Sequence, residues 1–176
     1  MTKKEILDAL IAIKNNLTLA WSLLPLLERR EYYEIISKLE KENHNINPLI
    51  DNLKNHKEQM KYFFFTTELL NAIRECFEIT KEYCLQNGSG HNYNKFYNND
   101  TITFARYIRN CIAHGFIFSF KNQNDKNRVT NNPPKWRGKT IDISLEGKKF
   151  DRKFMTHQDV VDLLNDLEAT VKSEIH

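Results

Sequence analysis

The stretch PLIDNLKNHKEQMKYFFFTTELLNAIRECFEITKEYCLQ, residues 48–86, runs for nearly forty positions with no glycine and no proline after its first residue. Asn47-Pro48 reads as a helix N-cap followed by proline at the first helical position, where a missing N–H does no harm. Leu49, Leu53, Met60, Phe64, Leu69, Ile73, Phe77 and Ile79 then supply a buried helical face. The spacing predicts one very long helix, or two collinear ones, as the spine of an all-α fold. The trio Phe63, Phe64 and Phe65 is wider than one stripe, so the helix is expected to be covered on more than one side. Core packing is favoured there over a cofactor-stacking role.

Working outward, Thr2-Lys3-Lys4-Glu5 is a capping box, and Ile6, Leu10, Ile13 and Leu17 follow at helical spacing. This first helix is predicted to reach about Trp21 and to be kinked or restarted by Pro25. LLERREYYEIISKLEKE makes a second helix, and residues 43–47 are the first clear break. On the other side of the spine, residues 86–100 are loop. Their Gly-Ser-Gly lacks the lysine and hydroxyl residue of a P-loop and carries no phosphate-binding role. Tyr93 and Tyr97 there are candidates for stacking on bases or for ordinary loop packing.

Thr101 or Asp100 is expected to cap the next helix, with Phe104, Tyr107, Ile108, Cys111 and Ile112 on its apolar side and Gly115 at its end. After FIFSF a polar loop is predicted. KTIDISL and KKFDRKF then form a β-hairpin about Glu146-Gly147. Thr156-His157-Gln158-Asp159 starts the last helix, which buries Val160, Leu163, Leu164, Leu167 and Val171. The fold class is therefore all-α, a single domain of four to five helices in a bundle. A short β-hairpin precedes the last helix, within a basic insertion at about 119–155.

At 176 residues, 40% hydrophobic and 28% charged, the chain has the composition of a globular domain with a real core. Its net charge is only +3, but residues 121–153 hold ten lysines and arginines against four acids. That local excess suits either a polyanion such as RNA or a solvated surface. Three cysteines without CxxC spacing argue against both a disulfide framework and a metal site. His44, His56, His91, His157 and His176 are scattered singly, with no partners at ligand spacing, so neither a metal nor a cofactor is expected. The interrupted N-terminal run makes a poor signal peptide. LTLAWSLLPLL is too short to span a bilayer, and a cytoplasmic setting is expected.

The polar residues that stand out lie in RYIRNCIAHG, residues 106–115. Gly115 is placed as the left-handed residue that ends a helix, which puts His114 in the last turn at the negative end of the helix dipole. Histidine is the side chain best suited to move protons near neutral pH. Asn110 sits four residues before it on the same face, and Arg106 shares a face with Arg109 and Asn110. Arg109 lies five residues from His114, roughly 140° around a regular helix, so one ideal helix does not bring the two together. A histidine, an arginine and an amide without a metal cluster suit RNA cleavage by the ribose 2′-OH. In that reaction the nucleophile belongs to the substrate.

Arg109-Asn110-Cys111-Ile112-Ala113-His114 resembles the R-x4-6-H motif of the HEPN family, including the polar residue after the arginine and an "AHG" ending. The resemblance implies a helical bundle, often dimeric, with two motifs facing each other in a shared site. Many such proteins are metal-independent endoribonucleases of toxin–antitoxin or phage-defence systems. Carried to this chain, Arg109 and His114 are catalytic and Asn110 is supporting. Arg106, Lys148, Lys149, Arg152 and Lys153 are candidate RNA contacts. The partners implied are RNA, a second copy of the chain, and an antitoxin or nucleotidyltransferase. Two other readings stay open: a non-catalytic nucleotide- or protein-binding accessory module, and a structural bundle in which Arg109 is buried against an acid such as Glu68 or Glu75.

Overall fold

The computed structural model describes residues 1–42, 51, 55–86, 96 and 98–174. Over these residues the chain is all-α, with a two-stranded antiparallel hairpin before the last helix. The Asn47-Pro48 cap, Leu49, Leu53, the Gly-Ser-Gly turn, Tyr93, Tyr97, His44, His91 and His176 lie outside the described residues. The chain divides into two compact units, one formed by Met1–Lys14 and Leu69–His176, the other by Asn15–Glu68.

Helix α1 (Lys3–Leu23) begins in the first unit and ends in the second, where it gives way to a 3-10 turn at Leu24–Glu28. Pro25 sits at the start of that turn, where it has no N–H to continue the α-helical ladder. Helix α2 (Arg30–Glu42) follows, and helix α3 (Lys57–Gln86, 30 residues) begins in this unit and ends in the first. Lys57 and Lys61 of α3 both pair with Glu28, and Phe65 packs on Trp21 at 5.1 Å between centroids. Phe65 is buried, whereas Phe63 is 64% and Phe64 42% exposed. Among the described residues, the expected cover on several sides is thus missing from these two rings. Consecutive helical residues point about 100° apart, and a neighbour on the Phe65 side does not reach them.

The first unit holds the site. Its entry is the Thr2/Glu5 capping box: Thr2 N–H donates to Glu5 Oε2 at 2.7 Å and Glu5 N–H to Thr2 Oγ1 at 3.3 Å. Ile6, Leu10 and Ile13 are core residues here, although Lys3–Glu28 is by length and composition alone apolar enough to cross a membrane. Leu69, Ile73 and Phe77 of α3 are buried as the periodicity predicts, Met60 and Ile79 are half-buried, Phe64 of the same expected face is exposed, and Cys76 and Cys84 are buried in addition. Helix α4 (Asp100–Ala113) is capped by Asn99, whose side chain accepts from Ile102 N–H at 3.0 Å, rather than by Asp100 or Thr101. It buries Phe104, Tyr107, Ile108 and Cys111, with Ile112 at the margin.

Beyond α4 the chain departs from the expected loop and hairpin. Residues read as loop form helix α5 (Gln123–Asn131), capped by Asn122 through Asp125 N–H at 2.7 Å. Its only buried residue is Val129, so no apolar period announces it. The hairpin pairs β1 (Lys135–Trp136) with β2 (Lys139–Thr140) across Arg137-Gly138. Both turn residues have positive φ, 43° and 79°, as a two-residue type I′ turn requires. The predicted strand KTIDISL is instead β2, an extended link and a 3-10 turn at Ile143–Leu145. KKFDRKF does return at Gly147, but it meets the segment leaving α4, through the bridge Ile117↔Lys149. Two-residue strands are too short to show alternation, which explains the misplacement.

Helix α6 (His157–Glu174) closes the chain behind a Thr156/Asp159 capping box, with N–H to carboxylate at 2.7 Å and N–H to hydroxyl at 3.2 Å. Helix α4 packs on α6 and on β1. Val160, Leu163, Leu164, Leu167 and Val171 are all buried. Glu168, a buried carboxylate on α6, is met by Lys14 and Lys172. Burial alone would raise its pKa, but those two ammonium groups outweigh it and hold the carboxyl below the usual range.

Candidate active site

The end of α4 is a complete Schellman motif. His114 is the C-cap, its N–H reaching the carbonyls of Asn110 and Cys111 at 3.1 Å each. Gly115, with φ of 71°, donates to Ile112 O at 3.2 Å, and Phe116 donates to Cys111 O at 2.9 Å. Nothing lies within 4 Å of a Cβ placed on Gly115. Glycine is needed there for its backbone angle alone. The motif turns the chain sharply, and the imidazole of His114 stands exposed, with no hydrogen bond or ion pair among the described residues.

Arg109 faces the other way. Its guanidinium pairs with Glu78 of α3 and donates to Asn110 Oδ1 at 2.9 Å. Asn110 therefore supports the arginine and not the imidazole, and Glu78 stands one helical turn beyond the expected Glu75. Both members of the ion pair are about a third exposed. Pairs of this kind contribute about 0–1 kcal/mol, and a phosphate can compete for the arginine. Arg109 Nε is buried and makes no hydrogen bond.

Arg106 is engaged by Asp125 of α5 at 3.1 Å, with its guanidinium 4.8 Å from the Tyr107 ring centre; the Tyr107 hydroxyl donates to the same carboxylate at 3.0 Å. Its charge is thus committed to fixing α5 and is not turned to the face of Arg109 and Asn110. Burial pushes the Tyr107 hydroxyl and the Cys111 thiol each up to about 12. Both therefore stay protonated near neutral pH.

The remaining basic candidates come together beside this corner. Phe118 N–H donates to Lys148 O at 3.0 Å, Gly147 N–H to Phe118 O at 2.9 Å, and Phe150 N–H to Phe116 O at 2.8 Å. A cluster of rings holds the arrangement from beneath: Phe118 touches Phe150 and Phe154, and Phe154 stacks on Phe104 of α4. Lys148, Lys149 and Lys153 are exposed and form no ion pair among the described residues, while exposed Arg152 lies near enough to His157 to lower its pKa further, after burial. A backbone ladder of a few residues thus sets the basic turn alongside the chain that leaves His114.

Two residues of this site escaped the sequence reading. Glu78 was one acid among several on α3, and only the three-dimensional register picks it out. Phe116 looked like one apolar residue in FIFSF, with nothing to signal its unusual backbone. Among the described residues no three His, Cys, Asp or Glu side chains gather as a metal-binding group. No protein-family model matches the chain, and no curated protein or solved structure matches it.

Proposed function

We propose that this chain is a metal-independent endoribonuclease of the HEPN type, acting in the cytoplasm in a toxin–antitoxin or phage-defence setting. The observation that carries the proposal is the corner at residues 114–118. There an exposed imidazole, with Arg109 and Asn110 on the turn before it, adjoins the exposed lysines of residues 148–153. In this reading His114 takes the proton of the ribose 2′-OH, or gives one to the departing 5′-oxygen. A new O2′–P bond forms as the P–O5′ bond breaks, and Arg109 offsets the added charge on phosphorus. Arg109 and His114 of one chain diverge around the helix, so a second copy supplies the missing half of the site.

The test is incubation of the purified protein with RNA in EDTA, comparing wild type with Arg109→Ala and His114→Ala. Cleavage should persist in EDTA and fall about 100-fold or more in each variant. Cleavage that needs a metal, or that survives both substitutions, defeats the proposal.

One observation favours a second reading. Arg109 is tied to Glu78, as a structural bridge between α3 and α4 would be. A purely structural arginine predicts that Arg109→Ala and Glu78→Gln lower the melting temperature alike and that no RNA is cut. An accessory module that binds a nucleotide or a protein predicts a normal melting temperature, no cleavage, and no arrest of growth on expression.

A further inference from the structure

Phe116 has a φ of 64°, a left-handed conformation that is disfavoured for any residue with a Cβ and is a genuine outlier for a bulky one. The helix ending does not demand it. Gly115 already provides the single left-handed residue that a Schellman motif uses. The backbone is held on both sides, by Phe116 N–H to Cys111 O and by Phe150 N–H to Phe116 O. Such a conformation persists where the surroundings over-determine it, and such positions gather at functional sites.

The ring itself is also an exception. From Phe104 to Phe154 the chain carries eight aromatic residues. Phe104, Tyr107, Phe118, Phe120, Trp136, Phe150 and Phe154 each pack on another ring. Phe116 packs on no ring among the described residues and is only half-buried. It lies two residues past His114, and its neighbour Ile117 bridges to Lys149 of the basic turn.

We propose that Phe116 is the platform on which a nucleobase of the RNA stacks, next to the phosphate that His114 and Arg109 address. The inference rests on the ribonuclease reading and adds to it a base-binding residue. A strained corner fixes the ring in advance, so a base meets a flat face at small ordering cost, with the lysines beside it for the backbone. Stacking of this kind tolerates any base, which predicts binding with little sequence preference at this position.

The ordinary alternative is that Phe116 only makes the apolar contact with Cys111 that accompanies a Schellman ending, a role that leucine fills equally well. The test is therefore fluorescence anisotropy with a short, fluorescein-labelled, single-stranded 2′-O-methyl RNA, which cannot be cut, and with three proteins. Phe116→Leu should bind about tenfold or more weakly while melting with the wild type. Phe116→Trp should bind within about twofold of wild type, with its added tryptophan emission quenched by the RNA. Wild-type affinity in Phe116→Leu overturns this proposal alone. Failure of the wild type to bind the RNA overturns it together with the ribonuclease reading.

Discussion

Two stretches of the basic segment, a few residues apart, use their charge in opposite ways. In the hairpin, Arg137 forms a fork with both oxygens of Asp166 at 2.9 Å and reaches Asp162, while Lys139 pairs with Asp159 at 3.2 Å. Trp136 adds its indole N–H to the same Asp166, at 2.9 Å. This stretch is a clamp on α6, and the carboxylates neutralise its charge. In the turn at residues 148–153, by contrast, three lysines stand exposed without an ion pair among the described residues. The +6 counted along residues 121–153 therefore overstates what a polyanion meets. Charge becomes a binding surface only where the fold supplies no acids against it.

The largest effect that follows concerns the turn. Reversing Lys148, Lys149, Arg152 and Lys153 to glutamate should weaken RNA binding about 100-fold at low salt, and should flatten the dependence on salt by about 0.7 in slope for each lost phosphate contact. The melting temperature near pH 7 should change little, because Lys148, Lys149 and Lys153 are exposed and form no ion pair among the described residues. Binding that is unchanged in affinity and in salt slope would erase the distinction between the two stretches.

The hairpin should respond in the opposite sense. Asp166→Ala leaves the indole N–H of buried Trp136 without a partner, a loss of about 1–3 kcal/mol, seen as a fall of several degrees in melting temperature. RNA affinity should not move. If Asp166→Ala instead strengthened binding with stability intact, Arg137 would belong to the RNA surface after all.

This contrast also explains what could be read in advance. Helices α1, α4 and α6 were legible because each carries an apolar period and a recognisable start or stop (Thr2/Glu5, Gly115, Thr156/Asp159), and α3 was legible from its apolar period alone. Helix α5 and the hairpin were not, since α5 buries one residue and each strand has two. Arg137-Gly138 lacks the Asn-Gly or Asp-Gly signal of a type I′ turn, and the ion pairs to α6 that hold Arg137 come from residues over twenty positions away. In the site, the Gly115 ending and the exposed place of His114 follow from local rules. The partner of Arg109 does not, because Glu75 and Glu78 lie about one turn apart on nearly the same side of α3, and only the packing of α4 against α3 selects between them. The strain at Phe116 has no local signature at all, as the Phe150 N–H that helps to hold it arrives through long-range pairing.

The smallest effect lies at His157, the first residue of α6, beside Arg152 of the basic turn. Burial, and then the charge of Arg152, hold its pKa below the ordinary 6.5. The folded state thus binds fewer protons than the unfolded one once the pH drops below 6.5. Its contribution to stability is present in full above that value and is lost as the pH falls through the depressed folded value. Asp159 and Glu168 are shifted downward as well, from 3.8 and 4.5, so their losses come at more acid pH. Between 6.5 and 4.5 the fall in melting temperature should then be visibly shallower in His157→Gln than in the wild type. Arg152→Gln should shrink the same fall part-way, by removing the like charge while leaving the burial. A wild-type fall untouched by Arg152→Gln would mean that burial alone sets the shift. The turn would then act on RNA without acting on the helix beside it.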